Sequence, residues 1–100
     1  KRIGAWGWSG GGYFTCLMLT KNSDLFDVGV AVAPVTDFRL YDTAYTERYM
    51  GLPQENSRGY DSTSTISYVN KLKGKFINNI SELPLKKIDA RTMVATTVTA

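Results

Sequence analysis

Gly7-Trp8-Ser9-Gly10-Gly11 decides how the chain is read. Before it stands a short apolar run, Ile3-Gly4-Ala5-Trp6, and after it Tyr13-Phe14-Thr15-Cys16-Leu17-Met18-Leu19, apolar most of the way round a helix. Residues 2–8 read as a buried central strand, continuous in apolar character instead of alternating. Gly10 to about Thr20 reads as a helix sunk against a sheet, closed by the polar turn Lys21-Asn22-Ser23-Asp24. A serine at a sharp strand-to-helix reversal holds its hydroxyl clear of the chain, at a strained backbone position. Small neighbours two residues away on each side let strand and helix approach without a Cβ clash.

Gly-x-Ser-x-Gly in that setting is the nucleophile-elbow pattern of α/β-hydrolases, with Ser9 as the candidate nucleophile and Gly7 and Gly11 as the elbow glycines. The pattern alone arises in about one of thirty random chains of this length, so its context carries the weight. A plain Gly/Ser loop joining two packed elements is the competing reading. A phosphate loop fits worse, because no Gly-Lys-Ser/Thr ending and no Gly-x-Gly-x-x-Gly with a following acid is present.

Working outward, Phe26 to Ala33 reads as a second strand, centred on Val28-Gly29-Val30-Ala31-Val32-Ala33 and closed by Pro34, which cannot continue a ladder. Two parallel strands joined by a helix make a βαβ unit, and residues just past the carboxyl ends of such strands face the usual ligand crevice. That reasoning places Pro34, Val35, Thr36 and Asp37 near Ser9. From Phe38 to Met50 a helix is expected, with Tyr41, Tyr45 and Tyr49 as one stripe at i, i+4, i+8. Such a stripe either packs on the domain body or walls a pocket beside the nucleophile. Gly51-Leu52-Pro53 ends the segment, and Gln54 to Thr65 reads as a polar surface loop. A turn or two of helix follows from about Ser64 through Ile66, Val69 and Leu72. Lys75-Phe76-Ile77 begins a third strand, and the residues from Asn78 to Pro84 read as loop. Met93 to Thr99 is β-prone, and Asn79-Ile80-Ser81 matches a glycosylation sequon of low specificity.

The 100 residues are 43% hydrophobic and 21% charged, a composition that suits one small globular domain rather than a disordered chain. A net charge of +3 is too thinly spread for a nucleic-acid face. The single cysteine, Cys16, has no internal disulfide partner and reads as a small hydrophobe in the helix. No stretch approaches the ~20 apolar residues of a membrane span. A start at Lys1 directly on a strand reads as a piece of a longer protein. Histidine is absent altogether. A serine hydroxyl needs an adjacent base, and in this fold class the order is Ser, then acid, then His.

Three stretches together resemble the catalytic domain of the prolyl oligopeptidase family of serine peptidases, in its dipeptidyl peptidase IV branch. They are Trp6-Gly7-Trp8-Ser9-Gly10-Gly11-Gly12-Tyr13, Val30-Ala31-Val32-Ala33-Pro34-Val35, and Tyr41-Asp42 with Tyr45-Thr46-Glu47-Arg48-Tyr49-Met50-Gly51-Leu52-Pro53. The resemblance covers residues 2 to about 76. It implies an α/β fragment of an α/β-hydrolase fold containing the nucleophile-elbow βαβ unit, and an exopeptidase releasing X-Pro or X-Ala dipeptides through an acyl-enzyme. Ser9 would be the nucleophile and the Gly10 N–H an oxyanion donor. Val35, Phe38, Tyr41 and Tyr45 would wall the pocket for proline or alanine. The family's second oxyanion donor, a tyrosine, and its amine-binding glutamates lie outside this stretch. No metal or cofactor is implied. The partner would be a peptide with Pro or Ala second, not nucleic acid, and a homodimeric parent is compatible with the family. The compartment stays open, since members are membrane-anchored, secreted or cytosolic.

The sequence departs from the branch in three places. Gly10 stands where tyrosine is usual, and Phe38 where tryptophan is usual. After Lys75-Phe76 the expected strand and His-Gly-x-x-Asp give way to Ile77-Asn78-Asn79-Ile80-Ser81, and Asp89 is not assigned to a triad. Residues 1–76 are therefore expected to be a partial hydrolase domain and 77–100 a divergent, aberrant or disordered tail. On its own the fragment is expected to be inactive. A catalytically inactive member with a binding role and a different serine hydrolase such as an esterase are the alternatives. Intact Ser9 argues against the first, and the Tyr45-to-Pro53 stretch against the second.

Overall fold

The computed structural model describes residues 2–79 and 86–87. Strand β1 (Gly4–Trp8) runs into helix α1 (Gly10–Lys21), which returns to strand β2 (Val28–Val32). A 3-10 turn at Phe38–Leu40, helices α2 (Thr43–Met50) and α3 (Ser57–Thr63), and a second 3-10 segment at Thr65–Lys71 follow. Strand β3 (Lys75–Asn79) and the short β4 (Lys86–Lys87) complete the described elements. The sheet order is β1-β2-β3-β4, with the first three strands parallel and β4 antiparallel to β3. The chain is thus a mixed α/β fold with a β1-α1-β2 unit, as expected.

The two sheet faces differ in a way the side chains dictate. In register, Gly7 pairs with Ala31, while Trp6 pairs with Val30 and Trp8 with Val32. Because neighbours along a strand point to opposite faces, the small residues turn toward α1 and the tryptophans away from it. On the α1 side Cys16, Leu19, Ala31 and Phe76 form the core, joined by Phe26, Val69 and Leu72. Full burial of a side chain such as Leu19 contributes about 1.5–3 kcal/mol. On the other face Trp6 and Trp8 are 77% and 68% exposed.

Helix α1 buries Gly12, Tyr13, Thr15, Cys16, Leu19 and Thr20. Its two buried threonines satisfy their hydroxyls within the helix, Thr15 donating to the Gly11 carbonyl at 2.9 Å and Thr20 to that of Cys16 at 2.8 Å. A polar group buried without such a partner would cost stability.

Three local expectations change. The Phe38–Met50 segment is not one helix: Tyr41 closes the 3-10 turn in an extended conformation, and α2 starts only after Asp42, whose carboxylate accepts the Tyr45 N–H at 2.8 Å. The Gln54–Thr65 stretch is not all loop, since α3 lies within it and buries Tyr60. Asn78 and Asn79 belong to β3, paired with Ala31 and Val32. The expected boundary at 76/77 falls inside that strand, and most of 77–100, including Met93 to Thr99 and Asp89, lies outside the described residues. No helix among the described residues is long and apolar enough to cross a membrane.

Burial pushes the Cys16 thiol up to about 12. Between its ordinary range and that value, the folded state keeps a proton that the unfolded chain releases. Stability should therefore be undiminished below about pH 9 and then fall by about 1.4 kcal/mol per pH unit as pH rises. Urea unfolding at about pH 8 and about pH 10.5 measures the loss. Cys16→Ala, less stable throughout, should lack this extra alkaline slope.

Candidate active site

Ser9 occupies the turn between β1 and α1 with φ 50 and ψ −112, in the left-handed half of the backbone map. For a residue with a Cβ that is a costly position. The surroundings enforce it. The Ser9 N–H donates to the Val32 carbonyl at 2.8 Å, extending the sheet by one bond, while the Ser9 carbonyl accepts the Tyr13 N–H at 2.9 Å as the first helical bond. One residue thus ends the strand and starts the helix. The strand and helix meet across Gly7, where an added Cβ would fall 2.2 Å from the Gly11 carbonyl carbon.

Serine at a helix N-cap normally spends its hydroxyl on an N–H of the first turn. Here it makes no such bond, and the residue is exposed. The amides at the start of α1 precede the first i→i−4 bond and carry the positive end of the helix dipole. Gly10, next to the hydroxyl, has open space where a side chain would stand. The arrangement offers an exposed hydroxyl, not spent on the cap, beside backbone donors.

The carboxyl end of β2 lies against this turn, as its position in the βαβ unit requires. Ala33 adopts φ 44, and the buried Pro34 comes within 3.0 Å of the Cβ position of Gly12. The Thr36 carbonyl then accepts the Thr65 N–H at 2.9 Å and the Thr65 hydroxyl at 3.1 Å, which ties the loop to the second 3-10 segment. Beyond it a file of rings begins one helical turn from Ser9. Tyr13 meets Phe38 at 5.1 Å between centroids, Phe38 meets Tyr41 at 6.3 Å, Tyr41 meets Tyr45 at 5.4 Å and Tyr45 meets Tyr49 at 5.1 Å. The first three contacts are edge-to-face, the arrangement aromatic quadrupoles prefer.

Of the residues singled out from sequence, Phe38, Tyr41 and Tyr45 therefore come together, linked to the Ser9 turn through Tyr13. Val35 is half-buried on the connecting loop. A cleft of about 130 Å³ opens between Phe38, Tyr45, Thr46, Tyr49 and Met50, and a smaller one of about 20 Å³ lies between Phe38, Tyr41, Pro53 and Tyr60. Thr46 lines both and is buried, its hydroxyl without a hydrogen-bond partner among the described residues.

Sequence reasoning missed Tyr13. Its hydroxyl donates to the Thr63 carbonyl at 2.8 Å, and burial, with Tyr68 adding to it, raises its pKa. Fifty positions separate the two ends of that bond, so only the spacing from Ser9 could have suggested its place. No group of three His, Cys, Asp or Glu side chains capable of holding a metal occurs among the described residues.

The sequence model of the prolyl oligopeptidase family matches residues 1–96. A Schizosaccharomyces pombe protein named as a dipeptidyl aminopeptidase is 56% identical over 68 residues, which is 68% of this chain and 8% of the relative. Venom dipeptidyl peptidase 4 of Vespa velutina is 46% identical over 78 residues, 75% of this chain and 10% of the relative. Among solved structures, dipeptidyl peptidase 4 of Porphyromonas gingivalis superposes with a TM-score of 0.75 at 47% identity, over 77% of this chain and 11% of that one. The chain thus spans about a tenth of the length of the relatives it matches.

Proposed function

Because the chain belongs to the prolyl oligopeptidase family, we propose that it is the nucleophile-bearing part of a serine exopeptidase that releases X-Pro or X-Ala dipeptides from peptide amino termini. The observation that carries this reading is Ser9: exposed, at φ 50 between a strand and a helix, with its hydroxyl not spent on capping that helix. A plain Gly/Ser loop has no reason to hold a non-glycine residue there.

On this reading the β1–α1 turn is a nucleophile elbow. The Ser9 Oγ attacks the carbonyl carbon of the second substrate residue, and its proton passes to a base. The carbonyl oxygen becomes an oxyanion facing the Gly10 N–H, a donor already fixed by the helix start. Such preorganised donors act on charge that exists only in the tetrahedral state. Collapse breaks the peptide C–N bond, and the nitrogen takes that proton from the base so that the shortened peptide leaves as an amine. Water later hydrolyses the acyl ester, releasing the dipeptide and restoring the Ser9 hydroxyl. The chain contains no histidine, so the base of that step comes from outside these residues and the isolated chain is inactive. Phe38, Tyr41 and Tyr45, with Val35, form the pocket for the second residue. These rings stand edge to face, and a proline packing against them loses little freedom because its φ is already fixed.

The test is a hybrid peptidase, with residues 4–76 of this chain in place of the matching segment of the Porphyromonas gingivalis enzyme. Cleavage of a Gly-Pro anilide that disappears with Ser9→Ala supports the reading. A folded hybrid that hydrolyses simple esters but no X-Pro amide overturns it.

A further inference from the structure

We propose that Arg39 is a positioning residue that sets where the rings of Phe38 and Tyr41 stand. The proposal rests on the pocket reading above for its functional meaning, and on the following geometry for its physical basis. The 3-10 turn Phe38–Leu40 carries Phe38 yet buries none of its own residues. Its internal bonds are few, Leu40 N–H to the Asp37 carbonyl at 3.1 Å and, longer, Tyr41 N–H to the Phe38 carbonyl at 3.3 Å. A turn so held cannot fix a ring by itself.

The chain is anchored on either side of it. Upstream, the Thr36 carbonyl is held by Thr65, and downstream Asp42 caps α2. Between these points Arg39 reaches across to α3. Its guanidinium donates to Asp61 Oδ1 at 2.6 Å and to the Ser57 carbonyl at 3.2 Å, and on its own side to Asp37 Oδ2 at 3.2 Å. Asp37 also accepts the Arg39 N–H at 2.8 Å, and the guanidinium lies 5.3 Å from the centre of the Tyr60 ring. The hydrogen bond that Arg39 donates to Asp61, ahead of the attraction of Asp37, raises the pKa of Arg39.

A planar fork with several donors can hold two carboxylates and a carbonyl at once, which an ammonium cannot. Arg39 thus joins the turn to α3 at one point, and Phe38, adjacent in sequence, is held between Tyr13 and Tyr41. The hub faces solvent, with the Arg39 side chain 32% and the Asp61 side chain 70% exposed. Its effect is therefore on placement and not on overall stability.

The experiment uses the full chain with 13C-labelled Phe and Tyr rings. Arg39→Gln should displace the ring resonances of Phe38 and Tyr41 while leaving those of Tyr68 in place. Arg39→Lys should restore only part of the displacement. Exchanging the charges, Arg39→Asp with Asp61→Arg, should restore more than half, because the fork now arrives from α3. Unmoved Phe38 and Tyr41 resonances in a folded Arg39→Gln chain overturn the proposal. Should that single variant not fold, the charge exchange decides: native ring positions support the proposal and displaced ones overturn it. In the hybrid peptidase Arg39→Gln should raise KM about threefold or more with kcat within about twofold. A hybrid that cleaves amides without preferring proline overturns the pocket reading, while the ring displacement in the chain still supports Arg39 as the holder of those rings.

Discussion

Gly7→Ala should destabilise the chain by about 3 kcal/mol or more, the largest loss expected from any single methyl group added to it. The new Cβ would stand 2.2 Å from both the carbonyl carbon and the carbonyl oxygen of Gly11, and 2.8 Å from the Gly12 nitrogen. All three are backbone atoms of the first turn of α1, so no rotamer change can make room. The helix would have to lift from the sheet, and it is held there by Cys16 and Leu19 packed on Ala31 and Phe76. Lifting α1 also strains the two bonds that make Ser9 the junction, to Val32 and from Tyr13.

Two other glycines calibrate the claim. At Gly29 an added Cβ would meet Leu19 Cδ1 at 1.8 Å, a worse number but the end of a side chain that can turn. At Gly10 it would meet nothing within 4 Å. The order of destabilisation should therefore be Gly7→Ala, then Gly29→Ala. Gly10→Ala should be neutral or stabilising by up to about 1 kcal/mol, since alanine restricts the unfolded chain more than glycine does. Urea midpoints of the three variants test the order. Equal losses at positions 7 and 10 would show that β1 and α1 do not approach as described.

The β1-α1-β2 unit was legible because each of its elements is long enough to show its pattern locally and is bounded by a breaker, Gly10-Gly11-Gly12 on one side and Pro34 on the other. The strained serine was legible for the same reason: Gly7 reports the close approach that forces the turn. Helix α3 was not, because its seven residues are polar except Tyr60, whose burial depends on a bond from its hydroxyl to the Gly51 carbonyl at 2.7 Å. The tyrosine spacing led to the right neighbours by a wrong route. Tyr41 stands outside α2, and its ring meets Tyr45 because Asp42 turns the chain into the helix there. The Arg39 hub joins positions 18 and 22 residues apart, and no local pattern announces such a meeting. Asn78 and Asn79 enter β3 through backbone pairing with β2, which their polar side chains do nothing to advertise.

Ser9 should separate stability from catalysis when it is replaced in two ways. Its φ of 50 and ψ of −112 are unfavourable for any residue with a Cβ. Such a conformation costs about 1–3 kcal/mol. Glycine adopts positive φ freely, but loses more entropy on folding, by about 0.5–1 kcal/mol. The net expectation for Ser9→Gly is a gain of about 1 kcal/mol in the stability of the chain. Ser9→Ala keeps the Cβ and therefore the strain, and because the exposed hydroxyl makes no cap bond to the helix, its stability should match the parent within about 0.5 kcal/mol. In the hybrid peptidase both variants should lose roughly a millionfold in kcat, the scale of removing a serine nucleophile that works as one unit with its base. The two readouts answer different questions. Equal stability of the glycine and alanine variants would mean that the turn is not strained, whatever the activity. A hybrid that retains amide cleavage in either variant would mean that Ser9 is not the nucleophile, whatever the stability. Together, a more stable glycine variant and two inactive hybrids would tie the backbone cost at Ser9 to the presentation of its hydroxyl, since the chain would then carry a strain that only catalysis repays.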